Sequence, residues 1–486
     1  MMYRNAISRL SSSSIVLFLC LALILGGLQA SAQQTASTAR ETVSTTALDR
    51  YVAKPDPAYA FKLANSFPGE TSTGYVIDLT SQTWRSPQEV DRPIWKHWLT
   101  IAVPKNVTAK TALMIIGGGR NKPELPKGGD GRVHQLASAM NAIVAEISNI
   151  PNEPLTFSDD KQVHSEDGII AYTWDKYLRT GDEEWPLRLP MTKAVVRAMD
   201  TVQAFCATPE AGANQVDSFV VCGASKRGWT TWTTAVVDKR VIGIAPMVID
   251  LLNIIPSFRH HWAVYGFWAP AIDDYEKMGI MERMETPEYA ALMKIVEPYS
   301  YIDRLTMPKL IIASCGDQFF LPDSWRFYFD DLKGPKYLRS IPNTDHGLNL
   351  GAVESIMSFF MAVAHNTPIP QYKWSFPDEA TTRVETPSKP RTVKLWQATN
   401  PDARDFRLEK IGEAYKATDL TDQGGGVYVG HVDKPEKGWT AFLVELTFDN
   451  PGGAPFTFTS PVRIVPDTTP FTYEPAKNPP KGFLSK

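Results

Sequence analysis

Hydrophobic and polar positions follow two different rhythms along the chain, and the change of rhythm divides it. Residues 97–104, "HWLTIAVP", alternate as a half-buried strand does, and residues 112–119, "ALMIIGGG", form a continuous apolar run that ends in three glycines. "GRVHQLASAMNAIVAEIS" (131–148) predicts a helix and then a strand near 142–147. "EDGIIAYTWDKYL" (166–178) and "LPMTKAVVRAMDTVQAFC" (189–206) carry apolar residues at helical spacing. Four short apolar runs follow, "VDSFVVCG" (216–223), "VIGIAPMVID" (241–250), "PKLIIASCG" (308–316) and "KYLRSIP" (336–342). A helical pattern at 225–238 separates the first two, and another at 351–365 closes the series. Apolar strands separated by helices predict an α/β fold, a mostly parallel sheet covered by helices on both faces. Its loops at the strand C-termini share one edge.

The rhythm breaks between about 250 and 301. "IIPSFRHHWAVYGFWAPAIDDYEKMGI" (254–280) is crowded with aromatics and follows a sheet strand, so it reads either as a lid-like insertion over the strand ends or as a core-packing helical excursion. After about residue 368 the pattern becomes short alternating runs between Gly, Asn and Pro turns: "RTVKLWQATN", "RLEKIGEAYKA", "GGGVYVGHVD", "WTAFLVELTFD" and "FTFTSPVRIVPD". These predict a small all-β sandwich over 369–474, with 475–486 as a loose tail. The α/β part is assigned to 56–368.

The first 32 residues are read as an export signal, with a retained membrane anchor as the alternative although the apolar run is short for a full span. Arg4 and Arg9 precede an apolar core, and "ASA" at 30–32 offers small residues for cleavage after Ala32. Residues 33–55, rich in Thr, Ala and Ser, read as a flexible leader. No other segment is long and apolar enough to predict a membrane anchor, so the mature chain is expected to be soluble and exported. A hydrophobic content of 43% supports large cores, and a net charge of -3 argues against a nucleic-acid partner. Without Cys20, the cysteines left are Cys206, Cys222 and Cys315, which make no disulfide framework. No zinc spacing and no HExxH occurs, and no cofactor or metal is expected.

Candidate chemistry centres on "VVCGASKRGWTTW" (220–232). Acyl transfer needs a nucleophile, a base, an acid that orients the base, and donors for the oxyanion. Ser225 sits between an apolar strand and a helix, the context of a nucleophile elbow. The usual turn is G-x-S-x-G, but here the second glycine, Gly228, comes one residue late. A serine at this place is also an ordinary helix cap. Asp317 follows a later apolar strand, with Asp323 as a nearby rival acid. Of the eight histidines, His346 alone has both the right order and a strand-end context, beside Asp345. The order Ser225, Asp317, His346 is that of α/β-hydrolases. Gly118 and Gly119, with the backbone N–H of Lys226, are candidate oxyanion donors. Arg227, Trp262 and Trp268 are candidate substrate contacts; a surface or structural ion-pair role for Arg227 is the competing reading. Cys222 and Cys315 fall on strands separated by another strand, too far apart to bond, so Cys222 is expected to be a free buried thiol.

Several blocks, "EDGIIAYTWDKYL", "EWPLRLPMTKAVVRAMDTVQ", "GASKRGWTTW", "YGFWAPAIDDY" and "SCGDQFFLPD" with "DHG", resemble the PhoPQ-activated pathogenicity-related family over about 55–370. The resemblance implies an exported α/β-hydrolase-like protein with a C-terminal immunoglobulin-like domain, without defining a substrate. The turn at Ser225 is also similar to that of glucuronoyl esterases, where Gly again comes three residues after Ser. There the basic neighbour of the serine helps stabilise the oxyanion, a role that would fall to Lys226; Ala224 departs from the cysteine common in that group. The combined reading is a serine hydrolase acting on an ester first and a peptide bond second. The alternative is a non-enzymatic secreted signalling or binding protein built on a hydrolase scaffold.

Overall fold

The computed structural model describes residues 45–485 apart from 122–123, 127–130 and 452. The export signal and most of the leader lie outside the described residues. In chain order the first strands are β1 (Ala60–Pro68), β2 (Ser72–Thr83), β3 (Ile94–Pro104), β4 (Thr111–Ile116) and β5 (Val144–Ile147). A two-residue hairpin follows, β6 (Leu155–Thr156) with β7 (Val163–His164), and then β8 (Ser218–Ala224), β9 (Val241–Met247), β10 (Lys309–Ser314) and β11 (Lys336–Ile341). Nine of them form one sheet in the order β1-β2-β3-β5-β4-β8-β9-β10-β11. The run from β5 to β11 is parallel throughout, and β1 to β3 add an antiparallel meander on one edge.

The helices are α1 (Ala47–Ala53), α2 (Gly131–Met140), α3 (Asp167–Thr180), α4 (Arg188–Cys206), α5 (Lys226–Val237), α6 (Ile254–Tyr265), α7 (Asp273–Lys277), α8 (Pro287–Val296) and α9 (Leu350–Ala364). They cover both faces, and β8 shows why its run from Phe219 to Cys222 is apolar without alternation. Phe219 and Val221 join the core cluster that contains Val195 and Met199 of α4 and Trp229 and Trp232 of α5. Val220 and Cys222 point the other way, into the cluster of Val133 and Leu136 of α2 and Phe359 and Phe360 of α9. A strand that feeds two cores has no polar face to alternate.

Beyond α9 the chain is antiparallel. Strands β12 (Lys373–Asp378), β13 (Thr381–Glu385), β14 (Thr392–Asn400), β15 (Lys416–Asp419), β16 (Val427–His431), β17 (Trp439–Phe448), β18 (Phe456–Thr459) and β19 (Arg463–Val465) make two sheets. One is β12-β13-β16 and the other β15-β14-β17-β18, with β19 pairing β17. These sheets share a hydrophobic cluster with the parallel sheet. Val384, Phe442 and Phe458 lie in the same cluster as Leu310 and Ile341, and the Tyr337 and Phe458 rings are 5.0 Å apart. Residues 47–486 form one compact unit.

Three sequence expectations need correction, and one pair of strands has no counterpart among them. Residues 47–53, expected as part of a flexible leader, form α1, because Leu48, Tyr51 and Val52 put a buried stripe on one helix face. The apolar pattern gives no sign of β1 and β2: β1 is largely exposed and mixed in polarity. Residues 407–417, expected as one strand, split into a helical turn at Leu408–Ile411 and then β15. The tail is not loose at its end. Phe483 donates its N–H to the Leu178 carbonyl and sets its ring 5.5 Å from Tyr177, while the buried Glu288 carboxylate accepts from the Leu484 N–H and the Ser485 hydroxyl.

Candidate active site

Ser225 is the single residue between β8 and α5, and its backbone is bent hard, with φ 58° and ψ -127°. That left-handed region is unusual for a residue with a Cβ, and such strain persists only where the surroundings impose it. Here its N–H is held by the Met247 carbonyl of β9 at 2.9 Å, and its carbonyl accepts from Trp229 in α5 at 3.0 Å. The serine occupies the cap position, yet its side chain makes no cap hydrogen bond. The two glycines of the turn are sites of close backbone approach. A Cβ on Gly223 would lie 2.7 Å from the Arg227 carbonyl oxygen. One on Gly228 would lie 2.8 Å from the Met247 oxygen and 3.0 Å from the Gly223 oxygen. The glycine three residues after the serine is therefore the point where the first turn of α5 presses on the sheet. Gly228→Ala is expected to cost about 1–3 kcal/mol in urea unfolding; a change below about 0.5 kcal/mol would show that the backbone yields there.

Asp317 and His346 come together from the loops after β10 and β11. His346 Nδ1 is 2.9 Å from each Asp317 carboxylate oxygen. Asp317 is buried and also accepts the Phe319 N–H at 2.8 Å, while the His346 N–H donates to Gln318 Oε1 at 2.9 Å. With Nδ1–H on the carboxylate, Nε2 carries the lone pair, and it is buried without a hydrogen-bond partner. The Phe319 ring stands 4.3 Å from the imidazole. Ser225 and His346 are not hydrogen-bonded to each other in this arrangement. The rival acid, Asp323, is committed elsewhere: it is fully buried and accepts from Arg404 at 2.7 Å and His260 at 3.0 Å. Asp345 accepts the Gly347 N–H.

Ser225 lines a cavity of about 30 Å³. Its walls include Lys226 and Trp229 of α5, Asp167 and Trp174 of α3, and Phe319 and Phe320 beside His346. Ile254 and Phe258 of α6, Ile272 and Tyr275 complete it from the aromatic segment between β9 and β10. Gly118, Gly119, Trp262 and Trp268 are not among the lining residues. Trp268 lies one ring back, 5.9 Å from Phe258, and Trp262 packs on Trp268 at 5.0 Å.

The two basic residues after the serine are held by carboxylates. Lys226 Nζ is buried, 2.6 Å from Glu166 and 3.1 Å from Asp167. Arg227 grips Glu166 with both terminal nitrogens at 3.0 Å and donates Nε to the Ile150 carbonyl. Arg227 therefore has a structural ion pair where the sequence suggests a substrate contact. Its guanidinium also lies against Gly118, where a Cβ would come within 2.8 Å of it. Burial opposes the charge on Glu166, but the hydrogen bonds from Arg227 and the charge of Lys226 hold its carboxyl down at about 2. A larger cavity of about 590 Å³ lies elsewhere, lined by Arg120, Arg92, Lys96 and His97. Both ring nitrogens of His97 are already hydrogen-bonded, to Ser81 and Ser148.

Asp250, just past β9, accepts a hydrogen bond from the Tyr328 hydroxyl at 2.5 Å. Burial pushes its carboxyl up to about 7, against that hydrogen bond and with help from Asp323 and Asp317. An unfolded Asp titrates near ~3.9, so the unfolded chain ionises first and stability is lost as pH rises from about 4 to 7. Asp250→Asn is expected to raise stability at pH 8 by about 2 kcal/mol and to give no gain at pH 4, read by urea unfolding at both pH values.

Cys222 is a free buried thiol, and burial pushes it up to about 12. Several site residues carry no sequence signal of their own. Asp167 and Trp174 sit inside an ordinary helical pattern, Arg188 just before another and Tyr275 in the aromatic segment, and only the fold brings them to Ser225.

Residues 48–407 match the family described as PhoPQ-activated pathogenicity-related protein. The chain is 39% identical over 460 residues to autocrine proliferation repressor protein A of Dictyostelium discoideum, covering 88% of this chain and 92% of that protein. Among solved structures, it is similar to an acetyl xylan esterase from Paenibacillus sp. R4 at 16% identity and a TM-score of 0.47, covering 65% of this chain and 92% of that one. It is also similar to a glucuronoyl esterase from Solibacter usitatus at 12% identity and a TM-score of 0.35, covering 64% and 90%.

Proposed function

The chain belongs to the PhoPQ-activated pathogenicity-related protein family, and from that premise we propose that it is an exported serine hydrolase that cleaves an ester. One observation carries the reading: Asp317 fixes His346 through Nδ1 and leaves a buried, unpartnered Nε2, at the sheet edge where Ser225 is held in a strained turn. In this reading Ser225 Oγ attacks the ester carbonyl and gives its proton to His346 Nε2. Asp317 steadies the imidazolium, which then protonates the leaving alcohol. Water releases the acyl group by the same route in reverse. The Lys226 N–H, at the open first turn of α5, faces the developing oxyanion. Gly118 and Gly119, in the loop after β4, are assigned the second donor by position. The missing Ser225–His346 hydrogen bond is compatible with this scheme, because such contacts commonly tighten only around substrate.

Residues 1–32 support export. The two C-terminal antiparallel sheets are read as an immunoglobulin-like sandwich, as the family resemblance implies. The first test is turnover of short 4-nitrophenyl esters and aminoacyl 4-nitroanilides by wild type and Ser225→Ala. The reading expects ester cleavage that the substitution removes; equal rates for the two proteins contradict it. A second reading, a secreted signal on a hydrolase scaffold, is favoured by one observation, the name of the Dictyostelium relative as an autocrine proliferation repressor. Loss of all turnover in wild type would select it.

A further inference from the structure

Arg188 opens α4 and is 3% exposed, yet it lines the cavity that holds Ser225. A buried guanidinium is normally matched by a carboxylate. Among the described residues Arg188 makes no such ion pair. It donates Nη1 to the Lys226 carbonyl at 3.0 Å, rests 4.4 Å over the Trp229 ring, and leaves Nε without a partner. The other charged residues of the cavity wall already balance. Asp167 is held by Lys226 Nζ at 3.1 Å and by the Tyr275 hydroxyl at 3.0 Å. Lys226 Nζ is also paired with Glu166 at 2.6 Å, and Arg188, which feels the Asp167 charge and the Tyr275 hydroxyl, has no carboxylate in ion-pair contact among the described residues.

A second donor stands in the same wall. Trp174 is 1% exposed, lines the cavity, and its Nε1–H has no acceptor. Trp174 and Arg188 both pack against Trp229, the former at 6.2 Å between rings. A buried donor without an acceptor is costly, and two in one cavity beside a reactive serine call for an anionic acceptor from outside the chain. A planar guanidinium suits a carboxylate best. The cavity, at about 30 Å³, holds a group of carboxylate size and little more.

We propose that Arg188 and Trp174 bind a free carboxylate on the substrate, so that the esters cleaved are short half-esters of dicarboxylic acids. The substrate class rests on the hydrolase reading; the anion site does not. The reaction leaves that carboxylate untouched. Ser225 Oγ forms the acyl bond as the ester C–O bond breaks, the serine proton leaves with the alcohol by way of His346, and water then takes the acyl group.

Monomethyl succinate and methyl butyrate match in chain length and differ in the carboxylate. The full-length mature protein is expected to hydrolyse the first with a kcat/KM on the order of 10- to 100-fold higher, the worth of a charged hydrogen bond. Arg188→Gln should lower that ratio toward one, and Arg188→Lys should restore part of it. Succinate alone, titrated calorimetrically, should bind wild type and not Arg188→Gln. Should the glutamine variant fail to fold, the wild-type ratio and wild-type succinate binding decide. Turnover of both esters with a ratio near one overturns the substrate class while the hydrolase reading stands. Succinate binding without turnover of any ester keeps the anion site and removes the hydrolase reading. No succinate binding by wild type overturns the site itself.

Discussion

Asp317→Asn is expected to lower kcat on a cleaved ester about 10⁴-fold while the protein stays folded. The reason is the tautomer of His346. The carboxylate accepts from Nδ1 at 2.9 Å with both oxygens, which holds the ring proton on Nδ1 and leaves Nε2 as the base of the proposed reaction. An asparagine of the same shape can donate its amide N–H to Nδ1 instead, which moves the ring proton to Nε2. A protonated Nε2 cannot take the serine proton. Asn can keep the contact with the Phe319 N–H through its own carbonyl oxygen, so the local turn survives. Steady-state kinetics and circular dichroism on the same preparation separate the two effects. A fall of less than about tenfold would mean that Asp317 does not orient the base, since lost tautomer control alone costs far more.

Arg404→Ala is expected to destabilise the protein by about 3–5 kcal/mol, because it leaves a buried carboxylate unpaired. Arg404 and Asp323 are both essentially inaccessible to solvent, with 2.7 Å between them. Asp323 lies between β10 and β11 and Arg404 follows β14, so this pair ties the C-terminal sheets to the loop beyond Asp317. Burial alone would raise the Asp323 carboxyl, but the charges of Arg404 and then His260, with Arg326 behind them, hold it well below the carboxylate range. Its folded value is depressed, so its stabilisation is complete above the unfolded value near ~3.9 and is lost as pH falls below that. The variant should therefore differ most from wild type at neutral pH and converge with it in strong acid. Urea unfolding at pH 7 measures the difference, and a loss under about 1 kcal/mol would show that water or His260 replaces the arginine.

The parts of the molecule legible in the sequence are those set by short-range pattern. An apolar run ending at Gly223, followed by a serine and a helical stretch, is enough to place Ser225 on a strand-to-helix turn. Strand ends at 314 and 341 place Asp317 and His346 on the same edge by the handedness of parallel crossovers. The late glycine, Gly228, departs from the usual elbow spacing, and the lack of room for a Cβ there, which would lie 2.8 Å from the Met247 carbonyl oxygen, supplies the reason.

What the sequence hides depends on partners far away in the chain. Arg404 finds Asp323 across 81 residues, and Ser485 finds Glu288 across 197. Neither tail nor loop carries a periodic signal of that docking. Arg188 is the sharpest case. In "EWPLRLPMTK" it looks like a solvated charge at a helix start, since arginine is seldom buried unpaired. Only the packing of α3 and α5 around α4 shows it sealed beside Ser225. Arg227, two residues after the serine, looks the better substrate contact by position and is instead bound to Glu166.

The most direct measurement is a fluorophosphonate reaction with the native protein, with the adduct located by mass spectrometry of its peptides. A proton-accepting His346 and a strained, accessible Ser225 predict one adduct per chain, on Ser225, absent after unfolding and strongly slowed in His346→Ala. An unlabelled native protein, or an adduct on any other serine with Ser225 unmodified, would contradict the assignment of this site as a serine hydrolase.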